Sequence, residues 1–139
     1  MQIETPMAEA LGKYLDLSSL QLKLTAQNMA NIDTPGYRTE GFDFASEMTR
    51  SLNDLSGPDA SSGGAGGDGG TDADASAVAE SGSVRVARVG GLLERPDGNN
   101  VSMDREGMKM AEAQLQFRAG VELLKHEFTR VLDAIHADK

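Results

Sequence analysis

Cysteine and tryptophan are absent from the 139 residues, and aromatic side chains make up only 4% of them. Without cysteine the chain has no disulfide and no thiolate metal ligand, and it is indifferent to redox compartment. With so few aromatics and 39% hydrophobic residues overall, a compact core would be thin. Long helices that bury one stripe against each other, or against neighbouring subunits, suit this composition better. Basic charge is short as well: 13 Lys and Arg against 22 Asp and Glu leave a formal net charge of −9. A phosphate-binding footprint is therefore missing, and nucleic acid is excluded as a partner. No long apolar run capable of spanning a membrane occurs. Met1-Gln2-Ile3-Glu4-Thr5-Pro6 has neither the basic nor the apolar region of a cleaved signal, so composition alone predicts a cytoplasmic chain.

What is present is helical periodicity at both ends. Residues 1–36 read as a helix and the turn that stops it. Thr5 caps, Pro6 occupies the first helical position, and Glu9 sits near the positive end of the dipole. Leu11, Leu15, Ser18, Leu22, Thr25, Met29 and Ile32 then recur at spacings of four and three, the period of a coiled coil. Tyr14, Leu17, Leu20 and Leu24 widen the stripe, which implies more than one partner helix. The helix should end near Asn31 or Ile32, because Thr34 precedes a proline and Pro35-Gly36 favours a tight turn with the glycine at positive φ. Asn28 and Asn31, three apart, are placed to bind the last free carbonyls or each other.

The middle is mixed. Over 37–55 a short extended piece, Gly41-Phe42-Asp43-Phe44, leads into a helical segment over 45–52 with Phe44, Met48 and Leu52 on one side; Tyr37, Phe42 and Phe44 are expected to pack on the long helices. Residues 56–83 hold half of the glycines, with Ser, Ala and Asp between them and neither Lys nor Arg. Such a segment is expected to be a mobile loop, since it cannot bury enough apolar surface to offset chain entropy. Over 84–103, Val84, Val86 and Val89 alternate with polar residues as in a half-buried strand. A second extended piece, with Val101 and Met103 on one side, is expected to pair with it after the turn at Asp97-Gly98-Asn99-Asn100.

The last segment, 104–139, repeats the helical period. Ser102 or Asp104 can cap it, and Met110, Gln114, Phe117, Val121, Leu124, Phe128, Val131 and Ile135 alternate four and three. The first helix should run about 40 Å and the last about 50 Å at the α-helical rise, which makes them natural partners. The fold class expected is therefore mainly α: long N- and C-terminal helices paired as a coiled coil, a small β-containing middle and a disordered Gly/Asp-rich loop.

Signals of chemistry are weak. Gly64-x-Gly66-x-x-Gly69 has no strand before it or helix after it, so a dinucleotide fold is not implied. One calcium-type nonapeptide match lacks the stacked repeats it needs. His126 and His136, ten apart on one helix, lie about 15 Å apart along the axis and cannot share a metal. Glu122 with Lys125, and Glu127 with Arg130, read as ordinary helix pairs. No nucleophile lies beside a base in a recognisable motif, so neither catalysis, a cofactor, a metal nor a small-molecule substrate is expected.

The run Asn28-Met29-Ala30-Asn31-x-x-Thr34-Pro35-Gly36-Tyr37 resembles the N-terminal signature of the bacterial flagellar rod and hook axial proteins. Asp97-Gly98-Asn99-Asn100-Val101-Ser102-Met103-Asp104-Arg105-Glu106, with the helix that follows, resembles the C-terminal half of a small proximal-rod member of that family. Departures are slight: Met29 for a larger share of leucine or isoleucine, Ser102 for an acidic residue, Gly107 in the first helical turn, Ala113 for asparagine, Phe117 for tyrosine. The resemblance implies a structural subunit of the proximal rod of the flagellar basal body. It would assemble through its terminal helices and transmit torque for motility. It implies as partners copies of itself, other rod proteins, and the base of the rod at the MS ring and export gate. It also implies a periplasmic location reached by the flagellum's own type III export without a cleaved signal, with no membrane span of its own. The assembly interface expected comprises Leu11, Leu15, Leu22, Met29, Ile32, Met110, Phe117, Val121, Leu124, Phe128, Val131 and Ile135. The alternatives are a soluble helical adaptor such as a secretion chaperone, and an acidic calcium-binding module on Asp68, Asp72 and Asp74, which the ordering cost of a glycine-rich loop disfavours.

Overall fold

The computed structural model describes residues 5–57 and 84–137. The segment expected to be a mobile loop lies outside the described residues apart from its first two, Ser56 and Gly57. Helix α1 spans Pro6–Ala30 and starts as its sequence dictates, with the Thr5 hydroxyl oxygen accepting the Ala8 N–H at 3.1 Å. It ends at Asn31, and Gly36 turns the chain at φ 73°. Strand β1 (Glu40–Gly41) follows, then helix α2 (Phe44–Leu55). Asp43 caps α2: its Oδ1 accepts the N–H groups of Ala45 and Ser46, and its Oδ2 accepts the Ser46 hydroxyl at 2.8 Å. These bonds, the Ser46 hydroxyl first, hold the Asp43 carboxyl below its ordinary range. Strand β2 (Ala87–Arg88) and helix α3 (Met103–His136) complete the chain.

The two long helices form an antiparallel hairpin. Near the end of α1, Asn28 meets Glu106 in the first turn of α3, while Thr5 at the start of α1 meets Glu127. The expected pairing of the terminal helices in a mainly helical chain is observed. Helix α2 lies against α1, where the rings of Tyr14 and Phe44 meet edge-on at 5.4 Å and Phe42 stacks on Phe44.

Strand pairing differs from expectation. The valine run pairs with β1, not with the segment before α3: Glu40 faces Arg88 and Gly41 faces Ala87 in an antiparallel ladder, continued by the Val89 N–H donating to the Thr39 carbonyl at 2.8 Å. Only two residues of the run are strand; Val84 and Val89 are half-buried as expected, whereas Val86 is exposed. Alternation of valines is a face signal, and it carries no information on the partner strand.

Candidate assembly site

The interior of the hairpin is set by heptads. On α3 the buried residues are Glu106, Ala113, Gly120 and Glu127, one every seven, with Met110, Phe117, Leu124 and Val131 half-buried beside them. On α1 the buried line is Leu11, Leu17 with Ser18, Leu24 with Thr25, and Asn28. At Gly120 an added Cβ would stand 2.8 Å from Leu15 Cδ2 and 2.9 Å from Tyr14 Cδ1. Glycine here, and alanine one heptad earlier, let the helices approach closely.

That close approach turns α3 relative to the stripe read from its apolar residues. Met110, Phe117, Leu124 and Val131 border the seam as expected, whereas the other expected line is rotated outward. Val121 is half-buried, Gln114 is exposed, and Phe128 and Ile135 are 53% and 52% exposed. On α1, Leu11 is buried and Leu15, Leu22 and Met29 are half-buried, as is Ile32 in the turn just after the helix. The line missed from the sequence is Glu106, Ala113, Gly120 and Glu127. Its seven-residue spacing was the available signal, hidden because none of the four is a large apolar residue.

Helix α3 is also longer than its partner. Because Glu127 meets Thr5, the later turns of α3 run past the start of α1; Leu132 and Ile135 there are exposed, as is Phe128 beside the first turns of α1. Seven of the eleven exposed large hydrophobic residues among those described lie on α3, which makes it the helix with apolar surface left to bury.

At the opposite end the two signature motifs meet. Asn28, only 1% exposed, donates from Nδ2 to the Glu40 carbonyl at 2.8 Å and to Glu106 Oε2 at 3.0 Å, and accepts at Oδ1 from the Glu40 N–H and the Tyr37 hydroxyl, each at 3.0 Å. Its side chain therefore binds neither the last helical carbonyls nor the Asn31 side chain, contrary to one expectation from the sequence. Asn31 does take that role, donating to the Gln27 carbonyl and accepting from Thr34. Asn99, fully buried, donates to the carbonyls of both Asn31 and Thr34. Asn100 Oδ1 accepts the Thr39 N–H at 2.7 Å, and the Gly36 N–H donates to the Asp97 carbonyl at 2.9 Å. Gly98, at φ 85°, would bring a Cβ to 3.4 Å from Gly36 Cα, so two glycines from the two motifs pass at close range. Thr34 and Pro35 are exposed and carry the turn itself.

This knot is electrostatically loaded. Burial, followed by the carboxylates of Glu40 and Glu106, pushes the Tyr37 phenol above its ordinary range. Glu106 is completely buried, and its Oε1 has no hydrogen-bond donor; the nearest cation, Lys109, stands at 4.0 Å. Among the described residues no three His, Cys, Asp or Glu side chains are grouped to hold a metal ion, and no helix is long and apolar enough to cross a membrane.

The chain matches no protein-family model. It is 30% identical over 126 residues to the flagellar basal body rod protein FlgB of Salmonella typhimurium, covering 87% of this chain and 86% of that protein. The FlgB proteins of Escherichia coli, 30% identical over 136 residues, and of Borrelia hermsii, 28% identical over 135 residues, are matched over 88% and 96% of their own lengths.

Proposed function

The chain belongs to the family of the flagellar basal body rod protein FlgB, and from that premise we propose that it is a structural component of the proximal rod, assembling through its terminal helices and transmitting torque for motility. The observation that carries the assembly is the apolar flank of α3, where Phe128 lies exposed beside the first turns of α1 and Leu132 and Ile135 continue past its start. A helix face of that kind is buried when a neighbouring subunit supplies the facing helix. Its partners are further copies of this chain and other rod proteins, with the base of the rod at the MS ring and export gate. The setting is the periplasm, and the role is mechanical rather than catalytic: many helix contacts share the load.

Phe128→Glu and Leu124→Glu test this. Phe128 is more than half exposed, so its replacement should change monomer stability by no more than about 0.5 kcal/mol, the usual range for surface positions. Both variants should be expressed and helical yet fail to enter basal bodies and fail to restore swimming. Motile cells carrying intact rods built from Phe128→Glu protein would sink the assignment of this flank to assembly.

A further inference from the structure

The open end of the hairpin is closed by a carboxylate. Glu127 stands on the buried seam line of α3, only 9% exposed, and uses both of its oxygens. Oε1 accepts the Thr5 hydroxyl at 3.2 Å, and Oε2 accepts from Arg130 at 3.1 Å. The Thr5 oxygen in turn accepts the Ala8 N–H at 3.1 Å, so a single hydroxyl both caps α1 and ties it to α3. Among the described residues, the hydrogen bonds that join α1 to α3 are this one and that of Asn28 with Glu106, one at each end of the hairpin.

The tie sits beneath the apolar flank. Ala8, bonded to Thr5, and Phe128, the residue after Glu127, line one groove together with Gly12 and Leu124. A charge buried at a helix seam is a poor source of stability. Its desolvation cost can exceed the attraction of its partners, and an apolar residue of like volume often holds two helices at least as firmly. What the carboxylate adds is direction: a hydrogen bond fixes particular atoms at a particular angle, whereas apolar contact tolerates sliding and rotation.

We propose that Glu127 is a positioning residue for assembly. Through Thr5 it holds the first turn of α1 against α3 so that Ala8 and Gly12 stand opposite Leu124 and Phe128, and it thereby sets how Phe128 is presented to a neighbouring subunit. The inference rests on the rod-subunit reading and adds which internal contact shapes the face used for assembly.

Glu127→Met removes the acceptor and the buried charge at similar volume. The purified variant should unfold in urea at a midpoint no lower than that of the parent chain, while its incorporation into basal bodies falls about tenfold or more. Glu127→Gln can still accept the Thr5 hydroxyl and should incorporate like the parent. Thr5→Asp keeps a capping oxygen for α1 but sets a second carboxylate against Glu127, and should fail as Glu127→Met does. The chain has no native cysteine, so spin labels at Met7→Cys and Arg118→Cys, both exposed, report the helix spacing directly. Their distance distribution should broaden with Glu127→Met and keep its width with Glu127→Gln. A lower urea midpoint with a matching loss of incorporation reduces Glu127 to a stabilising residue and overturns the proposal. An unchanged distance distribution in Glu127→Met, or a Glu127→Gln variant that fails as badly, also overturns it. Normal incorporation of Glu127→Met overturns it too; the rod reading then stands if Phe128→Glu is still excluded from basal bodies, and falls with it if Phe128→Glu is incorporated.

Discussion

Replacing Asn28 with leucine strips the knot of its centre at nearly constant volume. Four hydrogen bonds go: those to the Glu40 carbonyl and Glu106 Oε2, and those from the Glu40 N–H and the Tyr37 hydroxyl. Tyr37 is half-buried and can turn toward water. Glu106 has no such escape, since it is fully buried and its other oxygen already lacks a donor. Unpaired buried polar groups cost about 1–3 kcal/mol each, and more when charged. Two backbone groups and one carboxylate then give a loss of about 3–6 kcal/mol, a large part of the roughly 5–15 kcal/mol that holds a typical domain together. Urea unfolding followed by helical circular dichroism measures it, with Asn31→Leu as control; Asn31 makes two hydrogen bonds at the exposed surface and should cost under about 1 kcal/mol. Adding Glu106→Gln to Asn28→Leu removes the stranded charge and should recover at least about 1 kcal/mol in a double-mutant cycle. Equal losses for Asn28→Leu and Asn31→Leu would refute the reasoning.

Two further outcomes follow from the same geometry. Gly120→Ala gains about 1 kcal/mol of helix propensity and forces Leu15 and Tyr14 to shift, so it should be near neutral, whereas Gly120→Leu should destabilise by about 2–3 kcal/mol in thermal unfolding. Tyr37 has its folded pKa raised above the unfolded value near 10, so it keeps its proton where the unfolded chain has lost it; stability is unaffected below that pH and falls as pH rises through it. Tyr37→Phe should flatten that alkaline slope, and an unchanged slope would remove Tyr37 as its cause.

The helix ends were legible because their signals are local: Thr5-Pro6 and Thr34-Pro35-Gly36 act through backbone chemistry that does not depend on the rest of the fold. The pairing of the termini was legible because both carry one period. The rotation of α3 was not. An apolar stripe says which side of a helix is greasy, but Gly120 lets a poorer side win by approaching Leu15 and Tyr14 more closely than any larger residue allows. Asn28 and Asn99 were visible as motif members, yet their partners lie 78 and 68 residues away at Glu106 and Asn31, and no local rule reaches that far. Glu127 looked like half of a surface pair with Arg130; that pair exists, and the same carboxylate is also nearly buried, where it accepts the Thr5 hydroxyl at 3.2 Å.

The distribution of polar and apolar side chains is inverted relative to a self-sufficient domain. Among the described residues the buried set comprises five apolar side chains and nine polar or charged ones, so directional bonds do more of the internal fixing than area does. Hydrogen bonds of the kind Asn28, Asn99 and Asn100 make are modest in net stability but intolerant of misplacement, and they hold the hairpin in one geometry without consuming large apolar residues. Those residues are left on the outside of α3, from Met108 and Leu115 to Leu132 and Ile135. A subunit fixed by polar contacts within and apolar outside is shaped before it meets its neighbours and becomes fully buried only among them, which suits a rod better than a soluble adaptor. The adaptor would need its apolar face closed, or gathered into one cleft, to remain soluble alone.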